Sequence, residues 1–359
     1  MAAANDPLEL KDLRAYPLRE PVSGRRYTLI RLETRGGLRG WGECEETSAK
    51  ELAEARQLLS GIPATAYEVA WRKLAPAPRL RVAVNMAQLD LVGQQTKAPV
   101  YQVLGGPTRN KARALAAISG VAPADLLESM NKARQAGYRA LSVPLPPTEW
   151  RNQGQSYIFS VRGRMEILRK NAGADADFVL DGGGLLAPGD ASSISAELEK
   201  FHLLWFDEPC PVSNLGAVRK ISDENVTPLG FGRSLSKPGD FQDLLREEAA
   251  DILRPSLHQH GISQIRRIAA LAESYYVAVA PYHDGGPVAT AAALHLAASL
   301  PNFFIQQIPL PAADQDRQMR AAIAGDIERV KDGFAALSTA PGLGLQVNER
   351  ALDKYRERG

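Results

Sequence analysis

The sequence predicts an α/β protein in which a parallel (β/α) barrel follows a small α+β domain, and three observations carry that expectation. From about residue 110 strand and helix patterns alternate, whereas before it they do not. Between Asp177 and Ser234, three short apolar runs (DFVLDGGG, LLWFDEPCP and TPLGFGRSL) each end in polar residues. Asp181 ends the first run, Asp207 and Glu208 the second and Arg233 the third, roughly 25 residues apart, about one strand plus one crossover helix. Parallel strands spaced in this way bring their C-terminal ends to one face, where such folds keep their sites. Two carboxylates and a guanidinium are therefore expected to converge.

A chain of 359 residues suits a barrel plus a smaller domain. The formal net charge of +2, with acids and bases interspersed, leaves no basic stripe for nucleic acid or an anionic membrane. Neither partner is expected; a small molecule is, and a homo-oligomer stays open. Only Cys44 and Cys210 are present, without a CxxC pair or a signal-peptide pattern, so the expected compartment is the reduced cytoplasm. The most apolar long segment, PVATAAALHLAASL, is too short to span a bilayer.

In chain order, YTLIRLETRGGLRGWGECE reads as two strands joined at Gly36 and Gly37, because β-branched and aromatic residues flank a glycine pair. Three helical segments follow. In the last, Val84, Ala87, Leu91 and Val92 share a face, and the helix stops at or before Lys97, ahead of Pro99. Gly105, Gly106 and Pro107 mark the domain boundary.

The barrel pattern starts with ALAAISGV and PADLLESMNKARQAG, where Pro123 suits a first turn and Leu126, Leu127, Met130 and Ala133 form an apolar stripe. RALSVPLP, DFVLDGG, LLWFDEP, TPLGFGRS, DILRPSL and YVAVAPYH are each followed by a helical segment, and NFFIQQIP is the eighth strand. Eight strands with seven helices between them argue for a closed barrel. The end of the chain, KDGFAALSTAPGLGLQVNERALDKY, contains no further unit and is expected to return to the N-terminal domain.

GLRGWGE, MAQLDLVGQQTKAPVYQVLGG, LDGGG, WFDEP, GGPVATAAALHLAASLPNF and PGLGLQV stand in an order that resembles the mandelate racemase and muconate lactonizing enzyme branch of the enolase superfamily, along nearly the whole chain. The resemblance implies a modified (β/α)7β TIM-like barrel at 110–325, an α+β capping domain at 1–109 and a tail at 326–359 returning to the cap. It also implies descent from acid-sugar dehydratases or racemases, in which barrel-end carboxylates bind Mg2+ and a Lys or His base removes the proton beside a substrate carboxylate.

Carried over residue by residue, the resemblance places Asp181 and Asp207 at metal-ligand positions, with Gly183 where asparagine is usual. The third ligand position is Arg233, which offers only donors and a like charge, so no cofactor is expected although Mg2+ is the family's. Arg233 is expected to bridge Asp181 and Asp207, a cluster whose charges sum to −1, as do three carboxylates around a dication. Ser142, Ser256 and Gln307 replace family acid and base residues and are candidate contacts to a small carboxylate substrate. Tyr282 matches the usual histidine, with His283 just after it: His283 is the candidate base, Tyr282 the candidate acid and Arg233 the third catalytic candidate. His258 and His260 read as a loop pair beyond the sixth strand, and His202 and His295 as packing residues. Three readings stay open: a lyase or isomerase whose magnesium-dependent activity is lost or altered, a noncatalytic binding or structural barrel, and a metal enzyme using Asp181, Asp207 and Glu208.

Overall fold

The computed structural model describes residues 6–147 and 154–357; the outermost residues of the expected capping domain and tail, 1–5 and 358–359, lie outside it. The chain opens with the antiparallel strands β1 (Leu10–Arg19), β2 (Arg26–Thr34) and β3 (Arg39–Cys44), in that order across the sheet. The turn at Gly36 and Gly37 joins β2 to β3 as the sequence predicts. β1 is not among the predicted strands. Its buried residues, Leu10, Leu13, Tyr16 and Leu18, are spaced three, three and two apart, with a register irregularity between Leu10 and Asp12, so no clean alternation marks the strand.

Helices α1 (Ala49–Leu59), α2 (Tyr67–Lys73), α3 (Pro78–Gln95) and α4 (Val100–Val103) complete the first domain. α1 starts at a reciprocal cap in which the Ser48 hydroxyl accepts from Glu51 N while the Glu51 carboxylate accepts from Ser48 N. α3 stops short of Pro99, where its continuation would clash.

Strands and helices then alternate through β4 (Lys111–Ala117), α5 (Pro123–Gln135), β5 (Ala140–Pro144), α6 (Gln155–Ala172), β6 (Asp177–Asp181), α7 (Pro188–Leu198), β7 (Trp205–Asp207) and α8 (Leu215–Glu224). They continue through β8 (Leu229–Phe231), α9 (Pro238–Arg246), β9 (Ile252–Leu253), α10 (Leu257–Glu273), β10 (Ala278–Val279), α11 (Pro287–Ser299) and β11 (Gln306–Gln307). Neighbouring strands are parallel, and β11 pairs with β4 to close the barrel. Leu115, Ala140, Val179, Trp205, Ile252, Ala280 and Ile305 fill its interior. Burying one such Leu, Ile or Val contributes about 1.5–3 kcal/mol. This layer is the apolar floor beneath the polar strand ends.

After α12 (Asp314–Ala324), β12 (Val330–Lys331) and β13 (Phe334–Ala336) form a hairpin on β4. Residues 330–336, expected in the returning tail, are thus part of the barrel sheet; an antiparallel hairpin of this length carries too little alternation to be read from sequence. Beyond it, contacts join the chain to residues of β1 to β3 and α3. Leu343 N donates to Asp90, α13 (Glu349–Tyr355) places Glu349 on Arg31 and Arg39, and Arg356 pairs with Leu18 of β1. Among the described residues, no helix is long and apolar enough to cross a membrane.

Candidate active site at the barrel mouth

The ends of β6, β7 and β8 stand in register, with Asp181 beside Asp207 and Asp207 beside Gly230. Gly230 is needed there: a Cβ would lie 2.4 Å from the Trp205 ring and 3.1 Å from Asp207 Oδ1. Two residues past β8, Arg233 turns its guanidinium back over both carboxylates. Nη1 and Nη2 donate to Asp181 at 3.0 and 2.5 Å, and Nε lies 3.3 Å from Asp207 Oδ2. Burial opposes the Arg233 charge, but Asp207 and Asp181 outweigh it and hold its pKa above the ordinary arginine value.

Arg254, which the sequence did not single out, lies beneath this pair and is fully buried. It donates to both oxygens of Asp207, from Nε at 3.1 Å and Nη2 at 3.3 Å, and also to Gln307 Oε1 and Ala280 O. Trp205 Nε1 supplies a further donor to Asp207 at 2.9 Å. The expected charge sum is corrected accordingly: with Arg254 counted, two aspartates and two arginines sum to zero rather than −1. The signal that could have found Arg254 was its position at the end of the sixth strand, one residue before Pro255.

Glu208 leaves the strand with φ of 45°, and its Oε1 accepts from Gly232 N and Arg233 N, both at 2.7 Å. Burial, then Asp207, raise the Glu208 pKa. Glu208, Arg233 and Tyr282 line a cavity of about 790 Å³ whose other walls include Gly183, Ser213 and Leu244. The Tyr282 ring stacks on the guanidinium of Arg233, 5.2 Å from centroid to Cζ, and Arg254 lies at 5.6 Å. Burial and then Asp284 push the Tyr282 pKa up to about 12, so its phenol stays a neutral donor.

The remaining predicted residues do not line this cavity. His283 is fully buried with neither ring nitrogen hydrogen-bonded, facing His258 across 6.5 Å between ring centroids. Burial and then His258 hold its pKa well below the usual value. Tyr282, past the end of β10 and bridged to Ser256, lines the mouth, whereas the next residue, His283, is buried away from it. Ser142 and Ser256 are buried, Ser256 as the residue preceding α10. Gln307 is spent on Arg254. His258 and His260 are not loop residues but stand in the first turn of α10, His260 bonded to Leu235 O at 2.8 Å. His258 lies between Glu43 and Asp284, at 3.8 and 3.7 Å.

A family model of the enolase C-terminal domain-like fold matches residues 125–351, and one of the mandelate racemase / muconate lactonizing enzyme N-terminal domain matches residues 17–105. The chain belongs to the mandelate racemase and muconate lactonizing enzyme branch of the enolase superfamily. Among its relatives, a D-galactonate dehydratase family member of Streptomyces bingchenggensis is 29% identical, over 92% of this chain and 90% of its own. The D-mannonate dehydratase of Caulobacter sp. (strain K31) is 27% identical, over 92% of each. Among solved structures, a mandelate racemase/muconate lactonizing enzyme from Sulfitobacter sp. superposes with a TM-score of 0.85 at 25% identity, covering 98% of this chain and 96% of that one. An enolase from Agrobacterium radiobacter with Na and L-malate bound gives 0.86 at 24% identity, covering 97% and 95%.

These findings correct one expectation. That no cofactor would be used does not stand, because membership and the dehydratase relatives indicate a Mg2+-dependent family, and nothing in the comparisons marks a site that has lost its metal. The side chains as placed here nevertheless form a different donor set. Both oxygens of Asp181 accept from Arg233 and both of Asp207 from Arg254, and no three His, Cys, Asp or Glu among the described residues are grouped to hold an ion. In this arrangement the carboxylates do not fit a divalent cation, and no step below runs through one.

Proposed function

We propose that this protein is an acid-sugar dehydratase-type lyase that takes a small hydroxy carboxylate at the barrel mouth. The reading is supported by its dehydratase relatives, which align over both domains. The observation that carries it is the cavity in which Arg233 and Tyr282 meet at the strand ends. A guanidinium has five N–H donors. Two of Arg233's lie on Asp181 and one faces Asp207, which leaves two for a substrate carboxylate. Dehydration transfers the proton beside the carboxylate to a base and expels the hydroxyl of the next carbon as water once that hydroxyl gains a proton; Glu208, which lines the same cavity and whose pKa burial raises, is the base that takes the first proton. Tyr282, neutral and facing the cavity, is the donor for the departing hydroxyl.

The capping of Arg233 by two carboxylates favours a second reading, in which the cavity binds the carboxylate without turning it over. One experiment separates them. Incubate the protein with D-galactonate, D-mannonate and galactarate in the presence of Mg2+, then measure both ketone formation and binding. Turnover lowered at least about 100-fold by Tyr282→Phe supports the lyase. Binding without product supports the second reading, and neither binding nor product refutes both.

A further inference from the structure

The lining of the mouth cavity is chemically uneven. Arg233 and Tyr282 offer donors to it, and Arg233 is the one cation among its described lining residues. α9 supplies acceptors instead: Asp240 and Asp243 line the cavity together with Leu244. Positions 240, 243 and 244 are three and four apart, so they share one face of α9, and that face is turned to the cavity.

The fold makes no use of these two carboxylates. Neither Asp240 nor Asp243 makes a side-chain hydrogen bond or ion pair among the described residues, and α9 starts without a side-chain cap. An acid in the first turn gains from the helix dipole, which accounts for Asp240 alone. Asp243 stands a turn later and has no such gain. With Glu208, the lining holds three carboxylates against one guanidinium, and that guanidinium already serves Asp181 and faces Asp207.

The consequence for a ligand depends on its two ends. One carboxylate can take the two N–H groups that Arg233 has left. A second carboxylate finds no further cation among the described lining residues and meets the acids of α9 instead. A hydroxyl fares the opposite way, because an ionised carboxylate is an acceptor only and a hydroxyl donates to it in a charge-assisted bond.

We propose that the mouth cavity selects a polyhydroxy monocarboxylate over a sugar diacid, with the carboxylate on Arg233 and hydroxyls of the chain donating to Asp240 and Asp243. These two acids are specificity-determining residues: they accept the hydroxylated end and repel a second anion. The inference rests on the dehydratase-type reading for the seat of the carboxylate, but not on turnover, since selectivity is read from binding.

D-Galactonate and galactarate isolate the second charge, since they differ only at the terminal carbon, a CH2OH in one and a carboxylate in the other. Calorimetric titration of the intact protein with each, in Mg2+ at low ionic strength, should give a Kd at least about tenfold lower for D-galactonate. Raising NaCl to about 0.5 M should narrow that ratio. Asp243 is exposed and Asp240 half-buried, so Asp240→Asn combined with Asp243→Asn should keep the fold, which Tm verifies, while cutting the ratio at least about fivefold. Glu247→Gln, at the far end of α9 and outside the lining, should leave the ratio unchanged. Ketone formation is followed in the same samples. Selective binding of D-galactonate without product keeps the proposal and defeats the lyase reading; turnover of both acids with equal kcat/KM does the reverse. The proposal is overturned if galactarate binds as tightly as D-galactonate or if the double variant keeps the unmodified ratio, and if neither acid binds, both it and the lyase reading fall.

Discussion

Arg254→Met is the substitution whose consequence the structure states most sharply. Arg254 and Asp207 are both fully buried, and two of the arginine's N–H groups hold the two oxygens of that carboxylate. Methionine fills part of the volume but supplies no donor, so Asp207 keeps only Trp205 Nε1 and the more distant Arg233 Nε. Removing one partner of a buried pair costs about 3–5 kcal/mol, because the charge left behind is neither solvated nor compensated. For a chain of 359 residues this corresponds to roughly 4–7 °C in Tm. Urea unfolding measures it directly. Asp207→Asn combined with Arg254→Met should destabilise by clearly less than the sum of the two single changes, since the uncompensated charge is then absent. A loss below about 1 kcal/mol for Arg254→Met, or strict additivity in the double variant, would refute the claim that this pair holds the barrel mouth together.

Three further outcomes are expected. Arg233→Met should cost less than Arg254→Met, about 1–3 kcal/mol, because Asp181 retains a quarter of its side-chain exposure and can be solvated; urea unfolding of the two variants side by side checks the order. His258 has a folded pKa of about 9, above the unfolded value, so its stabilisation is full below about pH 6.5 and is lost as pH rises through 9. Melting of unmodified protein and His258→Gln from pH 6 to 9.5 should show a gap of roughly 3 kcal/mol that closes with rising pH, and a constant gap contradicts the assignment. Asp90→Ala removes the acceptor shared by Trp41 N and Leu343 N, and should destabilise by about 1–3 kcal/mol and speed proteolysis near residue 343.

The barrel was legible because its signal repeats: apolar runs ending in polar residues recur at a spacing that only strand–helix units satisfy. β1 and the β12–β13 hairpin were not, since the buried residues of one are irregularly spaced across a register shift and the other is too short to show any alternation. Asp181, Asp207 and Arg233 were readable as a cluster from their places at three strand ends. Their partner Arg254 carried the same strand-end signal, but what makes it reach Asp207 is the parallel pairing of β7, β8 and β9, which sets the two residues on either side of one intervening strand. The split between Tyr282 and His283 lies in the segment past β10, where no alternation marks which side chain lines the mouth. His258 and Glu43 are more than 200 residues apart and meet only because the cap closes on the barrel.

The most direct measurement is a crystal structure of the protein grown with Mg2+ and D-mannonate. The account predicts the sugar acid in the cavity at the ends of β6, β7 and β8, its carboxylate on Arg233 and a hydroxyl within hydrogen-bonding distance of Tyr282 Oη. Sugar acid bound elsewhere, or bound there with Tyr282 turned out of reach, would contradict it.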